Sequence, residues 1–379
     1  MNKKKVLVIS YYLYPFYNYG GGRRFFSLLK FFDSKNVDYL VITSSEKNFF
    51  DGKILFLKDP FIKGKRVDRG NVFLRSVNPL PDSMFLWSYG VFKYIKKNKK
   101  IFDKIIITAP PFSLPLILSL GLKKADLDKF ILDVRDIYYD GTLRDYKVPF
   151  VKIIDYIFDR IIFKRFRKIT TNIPRYVNLI KKRYNLKRVD LVVNSLEDEE
   201  QKVEKINFKE KVVLYSGKLD RFRFNKDFFE VFERVSPEID FKIFVIGKVD
   251  EKIKNYLEKK SFVKLLGEMD YEKTQKYVFS SDIFLIMHPF DLKDGQSIFS
   301  SKLLDGIKFK KKILYVGPEN DVYLFVKNNK IGEVVSKSEV GDLERKLMRL
   351  VKNEYHYNNT ISEQFKQPFK NSYFTENLF

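Results

Sequence analysis

The stretch Lys211-Val212-Val213-Leu214-Tyr215-Ser216-Gly217-Lys218-Leu219 decides how this chain is divided. A β-branched run stops at a glycine turn. Four cations, Lys218, Arg221, Arg223 and Lys226, then lead into the amphipathic stretch Lys226–Val235. Buried parallel strands read as continuous apolar runs of this kind, and a helix follows each to cover the sheet. Upstream, the same alternation has already run once. Val6–Ser10, Tyr39–Thr43, Ile105–Thr108, Phe130–Asp133, Ile169–Thr171 and Leu191–Val193 read as strands, with helical patterns at Arg24–Phe32, Phe85–Lys96 and Pro149–Arg167. Downstream, strands are expected at Phe241–Ile246, Phe262–Leu265, Ile283–Met287, Lys312–Tyr315 and Glu333–Val335. Helices are expected at Glu251–Lys259, Tyr271–Phe279, Ser300–Lys308 and Val340–Lys352.

This repetition predicts an α/β chain of two Rossmann-like domains, each a parallel sheet covered on both faces. The acidic run Glu197-Asp198-Glu199-Glu200 separates the two series and places a linker near residues 196–210. The expected domains are 1–196 and 197–357. The segment 358–379, with scattered aromatics and no strand pattern, is expected to pack back on the first domain. Ligands of doubly wound sheets bind at the carboxyl ends of the strands, so two such ends facing one another would form an interdomain cleft.

Composition narrows the chemistry. The 379 residues include no cysteine, which excludes disulfides, thiolate metal sites and cysteine nucleophiles. His288 and His356 are the only histidines, so a zinc site is not expected. The net charge of +24 points to a polyanionic partner or to a compositional bias in Lys-, Phe-, Tyr-, Ile- and Asn-rich sequence. The lysines before Val6-Leu7-Val8-Ile9 mimic a signal peptide, but Ser10, Tyr11 and Tyr12 break the run, and a first buried strand explains it. No run reaches the ~18 apolar residues of a membrane span. A soluble or peripheral protein is expected.

Several segments could carry a site. Gly20-Gly21-Gly22-Arg23-Arg24 opens a helix after the first strand; glycines admit a phosphate, and first-turn arginines oppose the helix dipole unless an anion is present. Gly217, Lys218, Arg221, Arg223 and Lys226 could hold a diphosphate by charge-assisted hydrogen bonds, or form a solvated basic loop. Asp133-Val134-Arg135-Asp136 ends a buried strand in charge, either facing a cleft or forming a structural ion pair. Asp305, one turn into a helix that follows the irregular stretch Asp294-Gly295-Gln296-Ser297, could accept both hydroxyls of a ribose, or answer the dipole. His288 follows a strand and could reach the cleft edge. Asp126-Leu127-Asp128 has a metal-holding spacing but lies in a lysine-rich connection and reads as surface. The basic, aromatic helix Pro149–Arg167 and the basic end of Phe92–Lys100 could lie on an anionic membrane, or be core helices with cationic ends.

Over nearly its whole length the chain resembles the GT-B fold glycosyltransferases, in the large retaining group called family 4, and most closely their surface-polysaccharide branch. The matching segments stand in order. Pro15 with Gly22-Arg23-Arg24 resembles the N-terminal glycine loop, and Pro81-Asp82 with Trp87 a "PD…W" segment. Thr108-Ala109-Pro110-Pro111-Phe112-Ser113 resembles a "SxPPxS" turn, and Asp133-Val134-Arg135-Asp136 a "DxRD" strand end. Gly217-Lys218-Leu219 with Lys226 resembles the loop that holds the donor diphosphate. Gly267, Ser281-Asp282-Ile283, Lys302-Leu303-Leu304-Asp305-Gly306 and Gly332 complete the order. There are departures. Asp305 stands at the second of two family glutamates, and Ser297, eight residues earlier, at the first. Lys218 replaces an arginine and cannot grip phosphate in a bidentate way.

The resemblance implies hexosyl-type transfer from a nucleoside diphosphate sugar, of UDP or GDP type, with retained anomeric configuration. It implies no metal and no cofactor beyond that donor substrate. Lys218 and Lys226 would stabilise the leaving diphosphate, with Asp136 and Gly22 reaching the cleft from the acceptor-side domain. Gly217, Glu268, Met269, His288, Ser297, Ser300, Ser301 and Asp305 would line the donor site, and Arg23, Arg24 and Arg135 the acceptor side. The implied acceptor is a polyprenyl-diphosphate-linked or other surface glycan, met at the cytoplasmic face of the cell membrane by a peripheral protein. Three alternatives stand beside this: an inactive sugar-nucleotide binder or scaffold, an epimerase of the same fold, and a nucleic-acid binder. The last lacks any recognised nucleic-acid motif.

Overall fold

The computed structural model describes residues 4–13, 20–63, 66–67, 80–139, 148–196, 203–221, 223–238, 240–290, 301–352, 354–361, 365, 368–370, 372–376 and 378, with the backbone alone at 20–23, 63, 66–67 and 301. It divides into two units, Met1–Ser195 with Gln367–Phe379, and Leu196–Lys366. Among the described residues no helix is long and apolar enough to cross a membrane.

The first unit begins with β1 (Lys5–Ile9), α1 (Gly20–Ser34), β2 (Asp38–Ser45), β3 (Phe49–Asp51), β4 (Ile54–Lys58) and a short ladder of β5 (Ile62–Lys63) with β6 (Arg66–Val67). It continues through α2 (Phe85–Asn98), β7 (Lys104–Ala109), α3 (Ser113–Gly121), α4 (Lys124–Leu127), β8 (Phe130–Val134), α5 (Pro149–Arg165), β9 (Lys168–Thr171), α6 (Pro174–Tyr184) and β10 (Asp190–Leu191). The main sheet has the order β10-β9-β8-β7-β1-β2-β4-β3. Its pairs are parallel except β3 with β4. Strand order therefore reverses between β1 and β7, where doubly wound sheets hold ligands. Val8, Phe25, Leu28, Phe32, Val41 and Ile106 form a core that the tail's Phe369 and Phe374 complete. Lys104 Nζ fastens that tail by donating to the carbonyls of Tyr373 at 2.9 Å and Glu376 at 2.5 Å. The return to the first unit starts at Gln367, later than the expected 358. Upstream of it, Asn358 N donates to Lys330 O at 3.0 Å, and Phe365 packs on Phe325, both within the second unit.

The second unit contains β11 (Lys211–Ser216), α7 (Lys226–Val235), β12 (Phe241–Ile246), α8 (Glu251–Leu257), β13 (Val263–Gly267), α9 (Tyr271–Ser280), β14 (Ile283–Met287), α10 (Ser301–Lys308), β15 (Lys312–Val316), α11 (Asp321–Asn328), β16 (Gly332–Val335) and α12 (Leu343–Val351). Its sheet, β13-β12-β11-β14-β15-β16, is parallel throughout. The order reverses between β11 and β14. Helix α7 shows how the layers join. Phe228, Phe229, Val231, Phe232 and Val235 are buried on one face, and Asn225 caps the start by accepting from Phe228 N at 3.1 Å.

Candidate functional site

In the second unit Lys218, Arg223, His288 and Lys302 gather at the reversal point. The chain leaves β11 through Gly217 at φ +125°, a conformation open to glycine and strained for other residues. Gly247, after β12, lies at φ +123°, and a side chain there would meet the Gly217 carbonyl oxygen at 2.3 Å. The strand ends are tied by Gly217 N donating to Ile246 O at 2.7 Å and Leu219 N to Lys248 O at 2.8 Å. A Cβ on Gly217 would stand 1.9 Å from Lys302 Nζ, so an ammonium from the first turn of α10 occupies that space. It lies 4.9 Å from the Tyr215 ring centroid, a cation–π contact. Asp220 accepts from Arg223 at 2.6 Å and pairs with Lys218 at 3.1 Å.

His288, at the end of β14, is buried; its carbonyl accepts from Asn225 Nδ2 at 3.2 Å, and its Nδ1 is 3.4 Å from the Tyr315 hydroxyl. Burial pushes its pKa down to about 4, with Arg223 and Lys302 adding to the effect, so the imidazole is neutral near pH 7. Burial, then Arg223, pushes Lys302 down to about 8 against the opposing pull of Asp220 and Asp305. Cations held close together in a low-dielectric position favour an anionic ligand.

Asp305 accepts from the buried Gln275 of α9, Nε2 to Oδ1 3.2 Å. Glu268, exposed, and Met269, half-buried, follow Gly267 at the carboxyl end of β13. Lys226, expected on the diphosphate, heads α7 with 62% of its side chain exposed, and pairs with Glu230 at 2.5 Å. Among the described residues no contact joins it to the Gly217–Lys302 group. Ser297 and Ser300 lie outside the described residues. Ser301, Gly22 and Arg23 are described in backbone only, at the starts of α10 and α1.

In the first unit, the end of β8 is an electrostatic junction. Asp133, fully buried, accepts from Arg24 Nε at 2.9 Å and Nη2 at 2.8 Å, and from Thr170 Oγ1 at 2.6 Å. Arg24 Nη1 also donates to the Val192 carbonyl. Arg24 was expected on the acceptor side. It is instead 2% exposed, with its guanidinium taken up by a bidentate structural pair. Arg135 and Asp136 influence one another electrostatically, with no ion pair between them among the described residues. The Arg135 backbone N donates to Ala109 O at 3.0 Å and its Nη2 to Pro110 O at 3.2 Å, which sets it at the β1–β7 reversal. Burial raises the Asp136 pKa, opposed by Arg135, and burial lowers that of Arg135.

Two resemblance segments meet beside this junction. Asp82 Oδ2 accepts from Phe112 N at 2.6 Å and Ser113 N at 2.9 Å, while Oδ1 accepts from Ser113 Oγ at 2.6 Å. The Asp82 carboxylate therefore caps α3. Trp87 is buried and stands edge-on to Tyr11 with centroids 4.9 Å apart. Of the Asp126-Leu127-Asp128 pair, Asp126 is bound to Lys99 and Asp128 is exposed, a surface arrangement.

Sequence reasoning gave no role to Lys302 and counted Arg223 only as one loop cation. A usable signal existed: Lys302, like the arginines of α1, is a cation in a helix's first turn, where the dipole disfavours it.

No protein-family model and no curated protein matches the chain. Solved structures do. The lipopolysaccharide outer core galactosyltransferase WaaB, in its apo form, superposes with a TM-score of 0.61 at 14% identity, over 98% of this chain and 97% of that one. WaaG, a glycosyltransferase involved in lipopolysaccharide biosynthesis, gives 0.61 at 13% identity over 98% and 96%. Anabaena Alr3699/HepE in complex with UDP gives 0.58 at 11% identity over 96% and 95%. At these identities the likeness establishes the fold, two parallel-sheet domains of the GT-B type.

Proposed function

We propose that this chain is a glycosyltransferase that takes a sugar from a nucleoside diphosphate donor, with retention, and passes it to a lipid-linked or other surface glycan. One observation carries the reading: Lys302 lies against the glycine turn at the reversal of the second sheet, with Lys218 and Arg223 held nearby on Asp220. A leaving diphosphate needs fixed cations there. These cations would do without a metal what a divalent ion does elsewhere. The UDP in the Anabaena protein supports a nucleoside diphosphate as ligand. Asp305, steadied by Gln275, suits a ribose; Glu268 and Met269 suit the base; neutral His288 suits hydrogen bonding near the sugar. On the first unit, Asp136 with Arg135 is the candidate acceptor-side pair.

A membrane-bound acceptor fits the surface of α2 and α5, which both pack on α3. Leu86, Tyr89, Phe150, Ile153, Tyr156 and Ile157 are exposed there beside Lys93, Lys96, Lys152 and Lys164. The inner face of α5 is buried, so this helix belongs both to the core and to an apolar, basic exterior.

The test is thermal stabilisation by UDP, GDP, CMP and their sugars, with and without magnesium, followed by transfer assays on glycan acceptors. A shift with one nucleoside diphosphate, indifferent to magnesium, is expected. No shift from a folded protein would end the donor reading. Binding without transfer to any acceptor would favour a scaffold.

A further inference from the structure

We propose that Lys302 is the side chain that grips the donor diphosphate, its ammonium resting in the space that a side chain on Gly217 would take. The inference rests on the donor reading and goes further, naming a ligand residue and a proton linkage that the loop motif does not contain. The geometry singles out Lys302 rather than Lys226. Lys226 is solvated and paired with Glu230. Lys302 is packed over Tyr215 and directly against the turn that ends β11. It also sits in the first turn of α10, where the helix dipole favours a bound anion. Backbone N–H groups of that turn and the ammonium would then face the same phosphate oxygens.

The groups that bear on Lys302 among the described residues come from every neighbouring element. Arg223 and Asp220 stand in the loop after β11, Tyr215 on β11, His288 after β14, and Asp305 on α10 itself. Burial and Arg223 already bring the free ammonium down to about 8. A bound diphosphate would push it up again. The sign follows. Below about pH 8 the lysine is charged before binding and affinity is full. Above it, binding must take up a proton, and affinity falls by as much as tenfold per pH unit.

The test is titration calorimetry with UDP, GDP and inorganic pyrophosphate at pH 7 and pH 9, in two buffers of different ionisation heat. Wild type should take up a proton at pH 9. Lys302→Met should bind the diphosphate on the order of 10- to 100-fold more weakly, keep its affinity for the bare nucleoside, and lose the proton uptake. Gly217→Ala should also weaken diphosphate binding, because the turn at φ +125° is strained for alanine and its methyl would push the ammonium aside. Undiminished diphosphate affinity in a folded Lys302→Met protein overturns the proposal, as does wild-type binding at pH 9 without proton uptake. If wild type binds none of the probes, the donor reading itself falls, and this proposal with it.

Discussion

Asp159 shows how one buried carboxyl ties a helix to a candidate site. It accepts from the Tyr184 hydroxyl and from Tyr139 N, and so anchors the segment that follows Asp136. Burial raises its pKa to about 6, against the lowering effect of Tyr184, Tyr139 N, Arg183 and Arg160. The folded value lies above the unfolded one, near 3.9, so the native state holds the proton more tightly. Stability from this group is present at low pH and is lost as pH rises through about 6. Asp159→Asn removes the charge and keeps an acceptor for Tyr184. Between pH 5 and pH 7.5 its stability relative to wild type should improve by about 1 kcal/mol, read by denaturant unfolding at both values. A gap that does not change with pH would mean Asp159 titrates normally. Such residues were not legible in the sequence: Asp159 is one charge in a basic helix until Tyr184 and Tyr139 are packed on it. Lys226 and Lys302 make the same point in reverse. Spacing along the chain favoured the former, and only the fold brings the latter to Gly217.

At the scale of elements, the central strands were legible because they are apolar on both faces; β11, β12 and β14 occupy the residues expected. The β3–β4 hairpin was missed although Asp51-Gly52 gave a turn signal, with Gly52 at φ +56°. Helix α3 was missed for a different reason. Ser113 through Ser119 are buried all round, so no amphipathic period exists to detect. The tail could be read as packing back but not where it starts, because the contacts that decide this are tertiary. Phe374 is fully buried against Phe25 and Phe369, with the Arg24 guanidinium 5.7 Å from its ring centroid. Phe374→Ala should cost about 3–5 kcal/mol in denaturant unfolding of the first unit. A cost below ~1 kcal/mol would show that the tail is not part of that core. In the second unit, Asn225→Ala removes the α7 cap and should cost about 1 kcal/mol. It also frees the His288 carbonyl, so nucleotide affinity should drop with it; a loss of stability alone would make Asn225 purely a cap.

For the whole molecule, the +24 charge is the property that the fold alone does not explain. Charge spread evenly would give salt-sensitive binding to any polyanion and no geometry. The exposed apolar side chains of α2 and α5 supply a geometry. Ile153 and Ile157 stand about one turn apart on one exposed stripe, with Phe150 three residues before. Each such side chain inserted into a bilayer interface is worth roughly 1.5–3 kcal/mol if fully buried, and each nearby lysine about 1 kcal/mol on an anionic surface. Two isoleucines therefore matter as much as several lysines, which separates docking from general attraction. Wild type should co-sediment with vesicles containing phosphatidylglycerol and only weakly with phosphatidylcholine alone. Ile153→Glu with Ile157→Glu should reduce that binding at least tenfold while changing net charge by only two of twenty-four. Replacing Lys152 and Lys164 by Gln, an equal change in charge, should weaken it less and flatten its salt dependence. Equal losses in the two variants would leave charge as the whole attraction, and no loss in either would put the docking face elsewhere on the protein.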